Sequence, residues 1–171
     1  QRYSNFWQWE NRVKIYIYPT RGEFIKDTGE QAWSYGVARY HEKEILSYEW
    51  NEGFMQALLP HEITHLIFRD YVGFTGEVPL WLDEGVAQWE EPEKRAIVRG
   101  VMKTVFESGK ALGLKELTQS DIRGEKDEEK VNNFYIQAVS LIDFMVKQFG
   151  SDDFISFCRG LRDGKTLDEA L

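Results

Sequence analysis

Residues 13–18, Val-Lys-Ile-Tyr-Ile-Tyr, alternate with the period of two that a half-buried strand requires, and Pro19 closes them. Thr20 and Glu23 have the spacing of a capping box and predict a short helix over 21–28. Two more short strands are predicted at 34–40 and 44–48, joined by the polar turn His41-Glu-Lys43. Asn51 is a candidate cap for a helix over 52–70 that Pro60 kinks or restarts, and Gly73 and Gly76 mark the loop after it. Helical periodicity returns at 80–91 and 93–108. The stretch 121–130 carries dense charge of both signs around Gly124 and predicts a solvated loop. A long amphipathic helix is expected over 131–149, with an apolar stripe through Leu141, Phe144 and Met145 and Gly150 as its C-cap. Ser151 opens another short helix. A small sheet followed by helices, without internal repeats, predicts an α+β fold in one domain over 1–171, sheet-rich over 1–50 and helical over 51–171.

Composition narrows the function classes. Six Trp, eight Tyr and eleven Phe in 171 residues are more apolar bulk than a disordered chain carries. A net charge of −8 argues against a nucleic-acid partner, because displacement of phosphate counterions needs clustered Lys and Arg. No apolar run approaches the roughly 18–20 residues that span a bilayer, so this segment is not expected to insert into a membrane. The single Cys158 excludes an intrachain disulfide, and it is expected to be a small buried apolar group. The chain begins at Gln1 without a leader pattern, and Thr166-Leu-Asp-Glu169 reads as a capping box just before the end at Leu171. We therefore expect a processed form or an excised piece of a longer protein. The compartment stays open, an extracytoplasmic or membrane-anchored parent included, as does the oligomeric state.

Two of only three histidines fall in His61-Glu62-Ile63-Thr64-His65. On a helix, residues four apart share a face, so both imidazoles can meet one cation. Glu62 is rotated by about a quarter turn, where it can serve a water at the metal without ligating the ion. A hydrolytic zinc needs a third protein ligand and an open position. The metzincin continuation fails, since Phe68 and Tyr71 stand where Gly and His are required. The chain offers instead Trp81-Leu-Asp-Glu84-Gly85-Val-Ala87, with eighteen residues between His65 and Glu84. If 80–91 is a helix against the first, Glu84 can point at the two histidines, and the small Gly85 and Ala87 permit close approach. His41 reads as a turn residue, and the acids at 90, 91 and 93 as a solvated helix boundary around Pro92.

These residues resemble the gluzincin metallopeptidases, and most of all the compact peptidase MA-like domains related to the catalytic domain of zinc aminopeptidases. That pattern is H-E-x-x-H, eighteen residues, then Glu within W-L-x-E-G-x-A; His61, Glu62, His65, Trp81, Leu82, Glu84, Gly85 and Ala87 match it. The resemblance implies a zincin-like fold, one Zn2+ held by His61, His65 and Glu84, and Glu62 as the catalytic acid/base. In the thermolysin group an Asp four residues after the Glu ligand braces a histidine. Gln88 stands there, which favours the aminopeptidase-like branch. A later helix of that family carries a Tyr that hydrogen-bonds the tetrahedral oxyanion in a Y-x-K-G-like context. Tyr135 is its counterpart, with Gln137-Ala138 in place of Lys-Gly. Gly36, Val37 and Ala38 lie where the aminopeptidases carry the G-x-M-E-N segment, whose backbone would receive an extended peptide. Arg39 replaces the Glu that grips the substrate α-amine, so an endopeptidase, or an enzyme with another anchor, acting on a peptide or protein substrate is favoured over an aminopeptidase. The alternative is a zinc-stabilised binding or sensor module of a larger protein, with no catalysis.

Overall fold

The computed structural model describes residues 9–31, 34–48 and 53–171. The predicted cap Asn51 lies outside them. The chain divides into two compact units, residues 1–68 and 69–171.

The first unit holds the sheet. Strand β1 (Lys14–Ile17) is followed by helix α1 (Arg21–Thr28), then by β2 (Gly36–Arg39) and β3 (Glu44–Ser47). The sheet order is β1-β3-β2, with β1 parallel to β3 and β2 antiparallel to it, in the register Ile15↔Ile45 and Ala38↔Ile45. The α+β expectation, with a small mixed sheet ahead of the helices, holds. The Thr20 hydroxyl accepts from the Glu23 N–H at 3.2 Å and starts α1, and Gly29 at φ 74° ends it in the left-handed region that favours glycine. The β2–β3 turn runs through His41 and needs a positive φ of 52° at Lys43. Central β3 is buried from Ile45 to Ser47, whereas edge strand β1 is exposed at all four positions. The alternation in 13–18 thus marks a strand but not a buried face.

Beyond the sheet the chain becomes helical at Gly53 and winds through a π-helical segment, Phe54–Leu58, into α2 (Leu59–Val72). The Leu59 N–H bonds to the carbonyl of Phe54, five residues back. Pro60 lacks an N–H and its ring would collide with the carbonyl four residues earlier in an α-helix. Widening the turn just ahead of it removes the collision, and the change of register falls where no donor is lost. The expected kink is therefore a π segment. Gly36 approaches this segment closely: a Cβ there would lie 3.3 Å from the Leu58 methyls and from the Leu46 carbonyl.

The second unit contains α3 (Leu80–Trp89), α4 (Pro92–Glu107), α5 (Leu114–Gln119), α6 (Glu128–Phe149), α7 (Ser151–Arg162) and α8 (Leu167–Ala170). Its core includes Trp81, Leu82, Phe134, Ile142 and Phe154, all below 3% exposure. Helix α5 lies between the predicted helix over 93–108 and the predicted loop over 121–130. Helix α6 begins three residues before its predicted start, at Glu128 rather than 131, because Asp127 caps it by accepting from the N–H groups of Glu129 and Lys130. Gly150, at φ 91°, joins α6 to α7. The Thr166–Glu169 capping box is complete. Two local expectations change. Phe144 leaves the apolar stripe, 56% exposed with its ring edge-on to Phe149, while Phe134, Ala138, Ile142 and Met145 form the buried face. Glu90 is buried rather than solvated, because it closes α3 against the core.

Candidate metal centre

Helix α2 presents His61 and His65 one turn apart, with the two Nε2 atoms 3.2 Å from each other and the rings near perpendicular at 80°. Two ligands on a tetrahedral ion at about 2.0–2.1 Å are separated by about 3.3–3.4 Å. The imidazole pair thus already has the spacing of two corners of a zinc tetrahedron. Both Nε2 atoms can offer lone pairs when each ring carries its proton on Nδ1. His61, His65 and Glu84 each offer one ligand atom, and those atoms all lie within 4.8 Å of one another. Two imidazoles and one carboxylate fit the donor set of a catalytic zinc, which leaves the fourth position open.

Glu62, next to His61, is 7% exposed. Thr64 is fully buried, and its hydroxyl donates to the Pro60 carbonyl at 2.8 Å, four residues back. This bond spends the threonine on the backbone, so the polar functions of the motif rest with His61, Glu62 and His65.

Around Glu84 the second unit supplies two features. Asp83, buried, accepts from Arg69 Nη2 at 2.6 Å, in a charge-assisted bond between the end of α2 and the start of α3. Neither residue was among the sequence candidates. Their opposite charges beside His65 and Glu84 were visible, but the choice of partner across fourteen residues depends on helix packing. Tyr135, on α6, is half-buried beside the fully buried Phe134 and does not sink into the core. Its hydroxyl is pushed up to about 12, first by withdrawal from water, then by the Glu84 carboxylate, with Arg123 acting in the opposite direction. The phenol therefore keeps its proton and stands in the field of Glu84.

Gln137 occupies the place of the family's Lys and is buried. Its amide donates to the Asn133 carbonyl at 3.0 Å and accepts from the Leu112 N–H at 2.9 Å, pinning the chain before α5 to the tyrosine helix. It is fully engaged in structure. Gly36, Val37 and Ala38 form most of β2, an edge strand of the sheet, half-buried along its length. Burial of Cys158 on α7 raises its thiol pKa far above the usual range, as expected of a small core group. Among the described residues no helix is long and apolar enough to cross a membrane.

A family model described as the peptidase MA superfamily matches residues 7–171. No curated protein and no solved structure matches the chain.

Proposed function

Because the chain belongs to the peptidase MA superfamily, we propose that it is a zinc-dependent metallopeptidase, with His61, His65 and Glu84 as metal ligands and Glu62 as general acid/base. The observation that carries this reading is the ligand cluster itself, with the two Nε2 atoms at tetrahedral spacing and a buried carboxylate adjacent in the chain. When bound, zinc supplies Lewis acidity towards water and the scissile carbonyl. Glu62 accepts the proton of the attacking water on its carboxylate and hands it to the leaving amine nitrogen. Tyr135, held protonated, donates its hydroxyl to the oxygen on which negative charge develops.

An endopeptidase is favoured over an aminopeptidase, because Arg39 stands where an α-amine would need a carboxylate. The position of β2 at a sheet edge supports Gly36, Val37 and Ala38 as the backbone that receives an extended peptide or protein substrate.

The test compares metal content and peptide cleavage for wild type and Glu62→Gln. One zinc per chain in both proteins, with a loss of about 10²–10⁴-fold in kcat for the variant, is the expected result. Equal cleavage by both would remove Glu62 from the mechanism. Bound zinc with no cleavage across a broad peptide library would favour the non-catalytic zinc module instead.

A further inference from the structure

The helix that carries Glu84 and the helix that carries Tyr135 meet at two fixed points. The first is Gly85: a Cβ there would lie 2.9 Å from Ile142 Cγ1 and 3.0 Å from the Ala138 carbonyl oxygen, so the α3 backbone rests directly on α6. The second is Trp89, whose Nε1–H donates to Asp143 Oδ1 at 3.1 Å with both residues buried. The other carboxylate oxygen of Asp143 accepts from Lys147 at 2.8 Å. Arg95 covers the indole from 4.6 Å and donates to the Trp89 carbonyl.

The two points follow one another in the same order along both helices. Gly85 to Trp89 is a rise of about 6 Å and Ala138 to Asp143 about 7.5 Å, so the spans nearly match. Glu84 precedes the first point on α3, and Tyr135 precedes it by less than a turn on α6. A close backbone contact alone resists separation but permits sliding. One directional bond between buried partners fixes the register, because a slip would part the buried indole N–H from Asp143 Oδ1 and leave the carboxylate only its Lys147 contact.

We propose that Trp89 and Asp143 are positioning residues that hold α3 in register on α6 and thereby set where the Glu84 carboxylate stands relative to the Tyr135 hydroxyl. Neither touches the reacting atoms. The proposal rests on the zinc peptidase reading above, in which Glu84 is a ligand and Tyr135 the oxyanion donor. Loss of the bond lets Glu84 move, so metal affinity falls, and lets Tyr135 drift, so kcat falls further than KM rises.

The experiment measures zinc affinity of the full chain by competition with a chromophoric chelator, alongside kcat and KM. Trp89→Phe keeps the ring and removes the donor; Asp143→Ala removes the acceptor; Asp143→Asn keeps an acceptor oxygen. Each of the first two variants is expected to bind zinc about tenfold more weakly, and the double variant no more weakly than either. Asp143→Asn stays within about threefold of wild type. Ile155→Ala, a core truncation on α7, lowers melting temperature while leaving zinc affinity unchanged. Wild-type affinity in both Trp89→Phe and Asp143→Ala, additive losses in the double variant, or an equal loss in Ile155→Ala would each overturn the positioning role while leaving the metal reading intact. Failure of wild type to bind zinc would overturn both.

Discussion

In the proposed oxyanion role the phenol of Tyr135 has to be both protonated and reachable, and these demands pull in opposite directions. Full burial would secure the proton but remove the hydroxyl from any substrate; full exposure would return it to the ordinary value near 10. Half-burial beside the Glu84 carboxylate pushes it to about 12, and Arg123 limits the rise. Any alkaline decline in activity near pH 9–10 then has another origin. Among the tyrosines, Tyr135 is expected to ionise late in an ultraviolet difference titration, with its step absent in Tyr135→Phe; Arg123→Ala should move that step still higher. Since the folded pKa lies above the unfolded one, the associated stability is fully present below about pH 10 and is lost as pH rises through about 12. In catalysis Tyr135→Phe should lower kcat by about 10²–10³-fold with zinc affinity unchanged, as single-turnover and chelator-competition measurements would report. Zinc loss in that variant would mean that the tyrosine serves the ligand set and not the oxyanion.

At the scale of elements, Gly85 has the sharpest consequence. Its Cβ would meet backbone atoms of Ala138 that belong to a long helix and cannot rotate away. Gly85→Ala should therefore destabilise the protein by about 1–3 kcal/mol in urea unfolding, although alanine is the better helix former. An increase in stability would show that α3 has room to lift from α6. The same contact shows what the sequence made legible. Glu84 and Gly85 could be read together, because a candidate ligand followed directly by a small residue on one helix forms a local pattern. The His61–Glu62–His65 constellation was legible for the same reason: five residues of helix fix its geometry. Tyr135 could be placed on a helix, but only its half-burial and the field of Glu84 give it a protonated donor's character. The Arg69–Asp83 and Trp89–Asp143 bonds join residues on different helices, and nothing local selects one partner from several acids. Glu90 misled for a related reason, since burial at a helix end is decided by the neighbours it packs against. The early start of α6 depends on the Asp127 cap, a short-range signal that periodicity averages away.

For the whole chain, the net charge of −8 makes a divalent cation a favourable addition. Metal that binds only the folded protein raises its stability in proportion to the logarithm of free zinc. Chelator treatment should lower the melting temperature, and added zinc should restore it; His61→Ala should melt at one temperature with or without chelator. A chelator effect that persists in His61→Ala would place the stabilising ion elsewhere. The π-helical segment before Pro60 has a different bearing on the chain as a whole. A π turn is an α turn holding one residue too many. Everything after Pro60 keeps its angular phase whether or not the extra residue is there, while everything before it is rotated by about 100° per residue gained or lost. Deleting exposed Met55 or Gln56 should thus leave the histidine face where it is and turn the incoming chain around it. The supernumerary residue is thus a point at which the chain entering from the sheet can be re-aimed while the histidine face keeps its phase.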